Sequence, residues 1–163
     1  MTEDKTMMAM TDDEALAYQR DGFIIRKGLL SPAEVGAFRD TARRQLEAEN
    51  KSGSVMSKGD KEGKTTLLKM WTRAEDDQYG FLARDERMVD LAEDAIGKPV
   101  YLYSHKMTMK QPNEGGAWEW HQDFGYWYNY GCLAPEMMSI FVALDKATRE
   151  NGCLQVLKGS HKL

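Results

Sequence analysis

Two side chains that could share a metal stand two residues apart: His121 and Asp123, inside an aromatic-rich run from residue 118 to residue 130. A neutral imidazole offers a lone pair and a carboxylate offers negative charge, a donor set suited to divalent first-row metals. Residues i and i+2 of a β-strand project from the same face, so a His-x-Asp pair on a strand would aim both groups at one ion. They would be two of the three protein ligands in the 2-His-1-carboxylate arrangement, which leaves positions on iron(II) open for a substrate and dioxygen. So short a pattern also arises by chance, and the plainer alternative is a histidine hydrogen-bonded to a neighbouring group. The chain has three histidines in all, which leaves His105 and His161 to be weighed as further ligands.

The elements that must position the pair are readable from periodicity. From residue 100 the period is two: Tyr101, Tyr103, His105, Met107 and Met109 alternate with Ser104, Lys106, Thr108 and Lys110, which predicts a strand with its odd-numbered face inward. His105 then faces the interior, either as a satisfied buried histidine or as a substrate contact. Residues 112–116 read as a turn. Residues 137–145 are apolar enough for a strand buried on both faces, with Met138, Ile140, Val142 and Leu144 on a packing side and Ser139, Phe141 and Ala143 on a cavity side. The same parity carried past Asp123 puts Trp127 on the metal-facing side, where it is a candidate substrate contact. Asn151-Gly152 reads as a tight turn into a strand over 153–157, which Gly159-Ser160 ends.

The first hundred residues are mainly helical in pattern. Thr11 and Glu14 form a capping box for a short helix that Gly22 closes, and a brief strand follows at 23–26. Ser31, Pro32 and Glu34 open a second helix, whose apolar stripe of Val35, Phe38, Ala42 and Leu46 runs to about residue 49. Residues 51–64, rich in Gly, Ser and Lys, read as an exposed mobile loop, a lid or a connector. A strand over 65–70 and a helix over 85–96, ended by Gly97 and Pro99, complete this half. The organisation predicted is a flexible tail at 1–10 and a single domain over 11–163. Helices followed by consecutive strands with short turns predict an α+β fold, an antiparallel sheet or barrel backed by helices.

Composition narrows the function class. The 163 residues carry 26 acidic and 22 basic side chains, a net charge of -4, intermixed with no basic footprint for nucleic acid and no polybasic membrane patch. The start lacks a basic n-region with an apolar core behind it, and no stretch is apolar enough to span a bilayer, so a cytoplasmic protein acting on a small molecule is expected. Cys132 and Cys153 are expected as two reduced, half-buried thiols.

The wider pattern resembles a family. His121-x-Asp123 is followed, about thirty residues on, by Asn151-Gly152-Cys153-Leu154 and then by Gly159-Ser160-His161-Lys162, a combination similar to that of the phytanoyl-CoA dioxygenase family of iron(II)- and 2-oxoglutarate-dependent oxygenases. The resemblance implies a double-stranded β-helix, a cupin-like jelly roll with a mostly β core backed by the N-terminal helices, of which 100–163 would be the first half. It implies His121 and Asp123 as metal ligands, and Lys69, Met107 and Phe141 as the wall around 2-oxoglutarate. His161 resembles a structural turn residue rather than the distal ligand. Phe141 stands where some members carry tryptophan, which keeps an aromatic wall without the indole donor, and Lys158 stands where proline is common.

The activity implied is hydroxylation of a small organic molecule by dioxygen, with 2-oxoglutarate converted to succinate and carbon dioxide. Asp123 favours hydroxylation over halogenation, since related halogenases carry a small residue at that place. In the family the distal histidine, and the arginine that pairs with the far carboxylate of 2-oxoglutarate, lie downstream of the Gly-Ser-His-Lys turn. Three expectations follow: an N-terminal portion of a longer enzyme, a barrel completed by a second chain, or a degenerate member with little activity. The alternative to an enzyme is a non-catalytic binding or interaction module on the same fold. A further alternative is a metal-free jelly roll in which His121 and Asp123 merely hydrogen-bond.

Overall fold

The computed structural model describes residues 10–52 and 56–163, so the tail expected over residues 1–10 lies, Met10 excepted, outside the described residues. Helix α1 (Asp12–Asp21) starts and stops where its capping residues dictate. The Glu14 amide donates to the Thr11 hydroxyl and the Thr11 amide donates to the Glu14 carboxylate at 2.9 Å, so two amides without helical partners are satisfied reciprocally. Gly22 ends the helix at φ 85°, a conformation that favours glycine. The strand expected at 23–26 is irregular; Arg26 instead reaches back to Glu14 at 2.6 Å and ties the segment to α1.

Helix α2 (Pro32–Ser52) opens on the second capping box, with the Ser31 amide donating to Glu34 at 2.7 Å and the Glu34 amide to the Ser31 hydroxyl at 3.3 Å. Strand β1 (Met56–Gly59) lies inside the segment expected as a mobile loop. Its polar residues pair antiparallel with β2 (Thr65–Trp71), Gly59 opposite Thr65, and ladder bonds of this kind leave no mark in composition. Between β2 and the last strand come α3 (Gln78–Ala83), which periodicity did not suggest, and α4 (Glu86–Ile96), capped by Asp85 and ended at Gly97 as expected. Strand β3 (His105–Lys110) completes a three-stranded antiparallel sheet in the order β1-β2-β3.

The two faces of this sheet have different partners. Register sets Leu67 opposite Met109, Lys69 opposite Met107 and Trp71 opposite His105, so these six side chains share one face. Helix α2 packs against that face, where Ala42, Leu46, Leu67 and Met107 form the core with Trp71, Tyr79, Met109 and Leu144 around them. Leu46 is 1% exposed, and Tyr79 fixes the arrangement by donating its hydroxyl to the Phe38 carbonyl at 3.0 Å. The opposite face carries Lys58, Thr66 and Lys106 and is covered by the chain around Gly116, whose carbonyl accepts from the buried Thr66 hydroxyl at 3.3 Å.

Three further expected strand stretches are not strands. Residues 101–104 precede β3 in irregular backbone, and 137–145 and 153–157 are irregular throughout. Strand-like composition makes a ladder only where another strand supplies the complementary amides and carbonyls, and among the described residues none pairs with these segments. Burial fails with pairing, leaving Ile140 44% exposed and Phe141 60% exposed. The described architecture is thus a mixed helix-and-sheet fold with a small antiparallel sheet. No helix among the described residues is long and apolar enough to cross a membrane. Cys132 and Cys153 are free and half-buried.

His105 sits edge-on to Trp71 at 4.9 Å between ring centroids, and both of its ring nitrogens are buried without a hydrogen-bond partner. Burial pushes its pKa below the ordinary 6.5, against the weaker opposing pull of Asp77 and Glu75. A lowered value in the fold means that the stability from a neutral His105 is present above the unfolded pKa and is lost as pH falls through the folded one. Thermal unfolding followed between about pH 7 and about pH 5 should therefore fall more steeply for the wild-type chain than for His105→Phe. Parallel curves would contradict this assignment.

Candidate metal centre

The His-x-Asp pair does not lie on a strand. His121 is in irregular backbone and Asp123 opens the short helix α5 (Asp123–Tyr128). The rings explain why. Phe124 and Tyr128 have centroids 6.0 Å apart and Tyr126 and Tyr130 4.9 Å apart, i,i+4 pairs that one helical turn brings together. A strand would hold them about 13 Å apart.

The pair converges nonetheless. His121 Nε2 lies 3.2 Å from Asp123 Oδ1, with the side chains 48% and 38% exposed. The other atoms of both groups are occupied. His121 Nδ1 is 2.6 Å from the Glu119 carbonyl oxygen, which can only accept, so Nδ1 carries a proton and Nε2 is the ring nitrogen that faces Asp123. Asp123 Oδ2 accepts from the Ser139 hydroxyl at 3.1 Å. A proton on Nε2 makes this contact an ion pair with Asp123, and a metal cation can take the place of that proton. Cis donors at about 2.1 Å on an octahedral ion lie about 3 Å apart, close to the spacing here. Donor type and spacing therefore fit a divalent metal, and the Glu119 and Ser139 bonds are the outer-shell support such ligands use. Among the described residues no group of three His, Cys, Asp or Glu converges on one point, so the pair supplies two ligands.

Of the other sequence-predicted site residues, Lys69, Met107 and His105 share the α2 face of the sheet, and Trp127 and Phe141 lie outside the sheet. Trp118, three residues before His121, lies over the face opposite α2, with Lys58 Nζ 4.2 Å and Lys106 Nζ 5.1 Å from its ring centroid. Lys69 and Met107 are cross-strand neighbours on the α2 face: Met107 is in the core and Lys69 pairs with Glu49 of α2. The cavity beside Met107, lined by Ala42, Leu46 and Leu144 among others, measures about 70 Å³, well below the few hundred Å³ of a small-molecule site. His105 is on this face as well. Phe141 is exposed on the segment that carries Ser139. Trp127 packs edge-on between Tyr103, at 5.1 Å, and Tyr126, at 5.0 Å.

His161 has a different employment. Its Nε2 donates to the Gln19 carbonyl at 3.1 Å, beside Lys162 on the Arg20 carbonyl and the Gly159 amide on that of Asp21. The Gly-Ser-His-Lys turn thereby satisfies carbonyls at the end of α1 that the helix leaves unpaired. Lys158, where the resembled pattern has proline, pairs with Asp21 at 3.0 Å. Gln122 ties this turn to the metal pair by donating to the Ser160 carbonyl at 2.8 Å. Two supports of the pair carried little sequence signal. Ser139 was marked only by its parity in an apolar run, and the Glu119 carbonyl by nothing, because a backbone acceptor has no residue type.

Residues 18–163 match the sequence model of the phytanoyl-CoA dioxygenase (PhyH) family. The chain is 35% identical over 150 residues to an L-proline trans-4-hydroxylase of Streptomyces griseoviridis, which covers 91% of this chain and 54% of the relative. It is 30% identical over 161 residues to an ectoine dioxygenase of Nocardia farcinica, covering 98% of this chain and 54% of the relative. An ectoine dioxygenase of Bordetella bronchiseptica is 26% identical over 164 residues. The chain spans about half the length of the curated relatives it matches. If Ser139 orients Asp123 as its bond indicates, Ser139→Ala weakens Mn(II) binding about tenfold with an unchanged circular dichroism spectrum. An unaltered affinity in calorimetric titration would remove Ser139 from the site.

Proposed function

The chain belongs to the phytanoyl-CoA dioxygenase family, and on that premise we propose that it forms the N-terminal part of an iron(II)- and 2-oxoglutarate-dependent dioxygenase that hydroxylates a small organic molecule. The observation that carries the reading is the convergence of His121 Nε2 and Asp123 Oδ1 at 3.2 Å, with each group's remaining atom already held. In the whole protein the fold would be a cupin-like double-stranded β-helix, with residues 11–163 in a single domain. The third protein ligand would come from the half of the relatives' length that this chain does not span. His161 is not the choice, since its Nε2 is committed to α1.

Bound iron(II) with 2-oxoglutarate would supply the activation of dioxygen for attack on an unactivated C–H bond. The chain's own groups bind and aim. His121, with a proton held on Nδ1 by the Glu119 carbonyl, would offer Nε2 as a ligand, and the Asp123 carboxylate would offset charge through Oδ1 while Ser139 keeps Oδ2 turned away. Trp127, braced by Tyr103 and Tyr126, is the proposed apolar wall for substrate, and Phe141 the proposed wall for 2-oxoglutarate. Proline and ectoine, in the relatives' names, favour a small polar substrate. A role for Lys69 and Met107 in holding 2-oxoglutarate rests on the family pattern. In this arrangement Lys69 would have to exchange its Glu49 partner for the cosubstrate carboxylate.

The test is iron-dependent formation of succinate from 2-oxoglutarate by the whole gene product. Activity that disappears in His121→Ala and in Asp123→Ala, with 2-oxoglutarate turnover restored by neither added iron nor ascorbate, is the expected result. Iron uptake without any succinate in that protein would favour the non-catalytic binding module instead.

A further inference from the structure

The segment read from sequence as a lid or connector ends in a turn whose carboxylate reaches the metal loop. Asp60 Oδ1 accepts from the amides of Glu62 and Lys64, both at 2.9 Å, which folds the chain back between β1 and β2. Its Oδ2 accepts from the Ala117 amide at 2.9 Å, 57 residues further on. That bond is the largest influence holding the Asp60 carboxyl below its ordinary pKa.

Neighbouring bonds press the same two stretches together. The Thr65 amide donates to the Glu114 carbonyl at 2.8 Å, and the Thr66 hydroxyl donates to the Gly116 carbonyl. A Cβ on Gly116 would stand 2.7 Å from the Lys64 carbonyl oxygen and 3.2 Å from Asp60 Oδ2, so this approach requires glycine. Trp118 follows directly, with the ammonium groups of Lys58 and Lys106 near its ring, and the ring lies 6.2 Å from that of His121 at an interplanar angle of 34°. The path from Asp60 through Ala117 and Trp118 to the His121 ring is continuous.

We propose that Asp60 is a positioning residue for the metal centre: its clamp on Ala117 sets Trp118 against the His121 ring and so fixes the direction of His121 Nε2. The consequence for metal rests on the dioxygenase reading of His121 and Asp123, while the clamp on the ring stands apart from it.

Asp60→Asn isolates the clamp. Asparagine keeps an oxygen for the Glu62 and Lys64 amides but turns an amino group toward the Ala117 amide, donor against donor. Gly63→Ala is the comparison, because Gly63 has φ 79° and alanine there strains the same turn without touching residues 116–121. Long-range proton–nitrogen NMR of the imidazole reports the His121 tautomer, and Mn(II) titration reports affinity. In Asp60→Asn the Nδ1-protonated pattern of His121 should give way to a tautomer mixture, and Mn(II) affinity should fall about tenfold or more. Gly63→Ala should lose thermal stability while keeping both. Wild-type tautomer in Asp60→Asn, or a tautomer change reproduced by Gly63→Ala, would overturn the proposal. A wild-type chain that takes up no Mn(II), with Asp60→Asn still scrambling the His121 tautomer, would uphold the clamp and sink the metal reading.

Discussion

The contact of His121 Nε2 with Asp123 Oδ1 across 3.2 Å is the constraint around which this chain is arranged. Each of the two side chains is held by a bond on its far side. The Glu119 carbonyl takes the Nδ1 proton and the Ser139 hydroxyl takes Oδ2. A proton on Nε2 makes the contact attractive in the metal-free chain, and a metal cation that displaces the proton keeps it so. Pre-setting the donors in this way lowers the ordering cost that metal binding would otherwise meet.

The two faces of the sheet meet different neighbours. One face carries the packed interior, Leu46, Ala42, Leu67 and Met107 under α2, where truncation of a single leucine typically costs about 2–5 kcal/mol. The other face carries long cationic side chains that approach the Trp118 ring, three residues before His121. Rigid scaffolds commonly place functional residues on loops in this manner. The Gly-Ser-His-Lys turn adds to this, since it pairs with the last carbonyls of α1, follows Lys158, which pairs with Asp21, and holds Gln122 next to His121 and Asp123.

What could be read from the sequence follows the range of the forces involved. Capping boxes at Thr11 and Ser31, the glycine stops at Gly22 and Gly97 and the α2 stripe are local signals, and the structure agrees with each. Strands depend on partners distant in sequence. Residues 137–145 and 153–157 have strand composition without a ladder, while Met56–Gly59 has a ladder without strand composition. The residues from 123 to 130 carried two periods at once, and the i,i+4 ring pairs decided for helix. The closeness of His121 and Asp123 follows from their spacing, although the strand geometry invoked for them is absent. Their supports, a backbone carbonyl, a lone serine and the Asp60 turn, were not legible in the sequence, because each acts through a tertiary contact.

The central claim is that His121 Nε2 and Asp123 Oδ1 meet on one metal ion. X-ray absorption at the iron edge of the iron(II)-loaded chain, prepared without dioxygen, tests it most directly. The account predicts imidazole scattering from a single histidine at about 2.1 Å, lost in His121→Ala and kept in His161→Ala. Iron with no imidazole in its first shell, or imidazole scattering that survives His121→Ala, would contradict it.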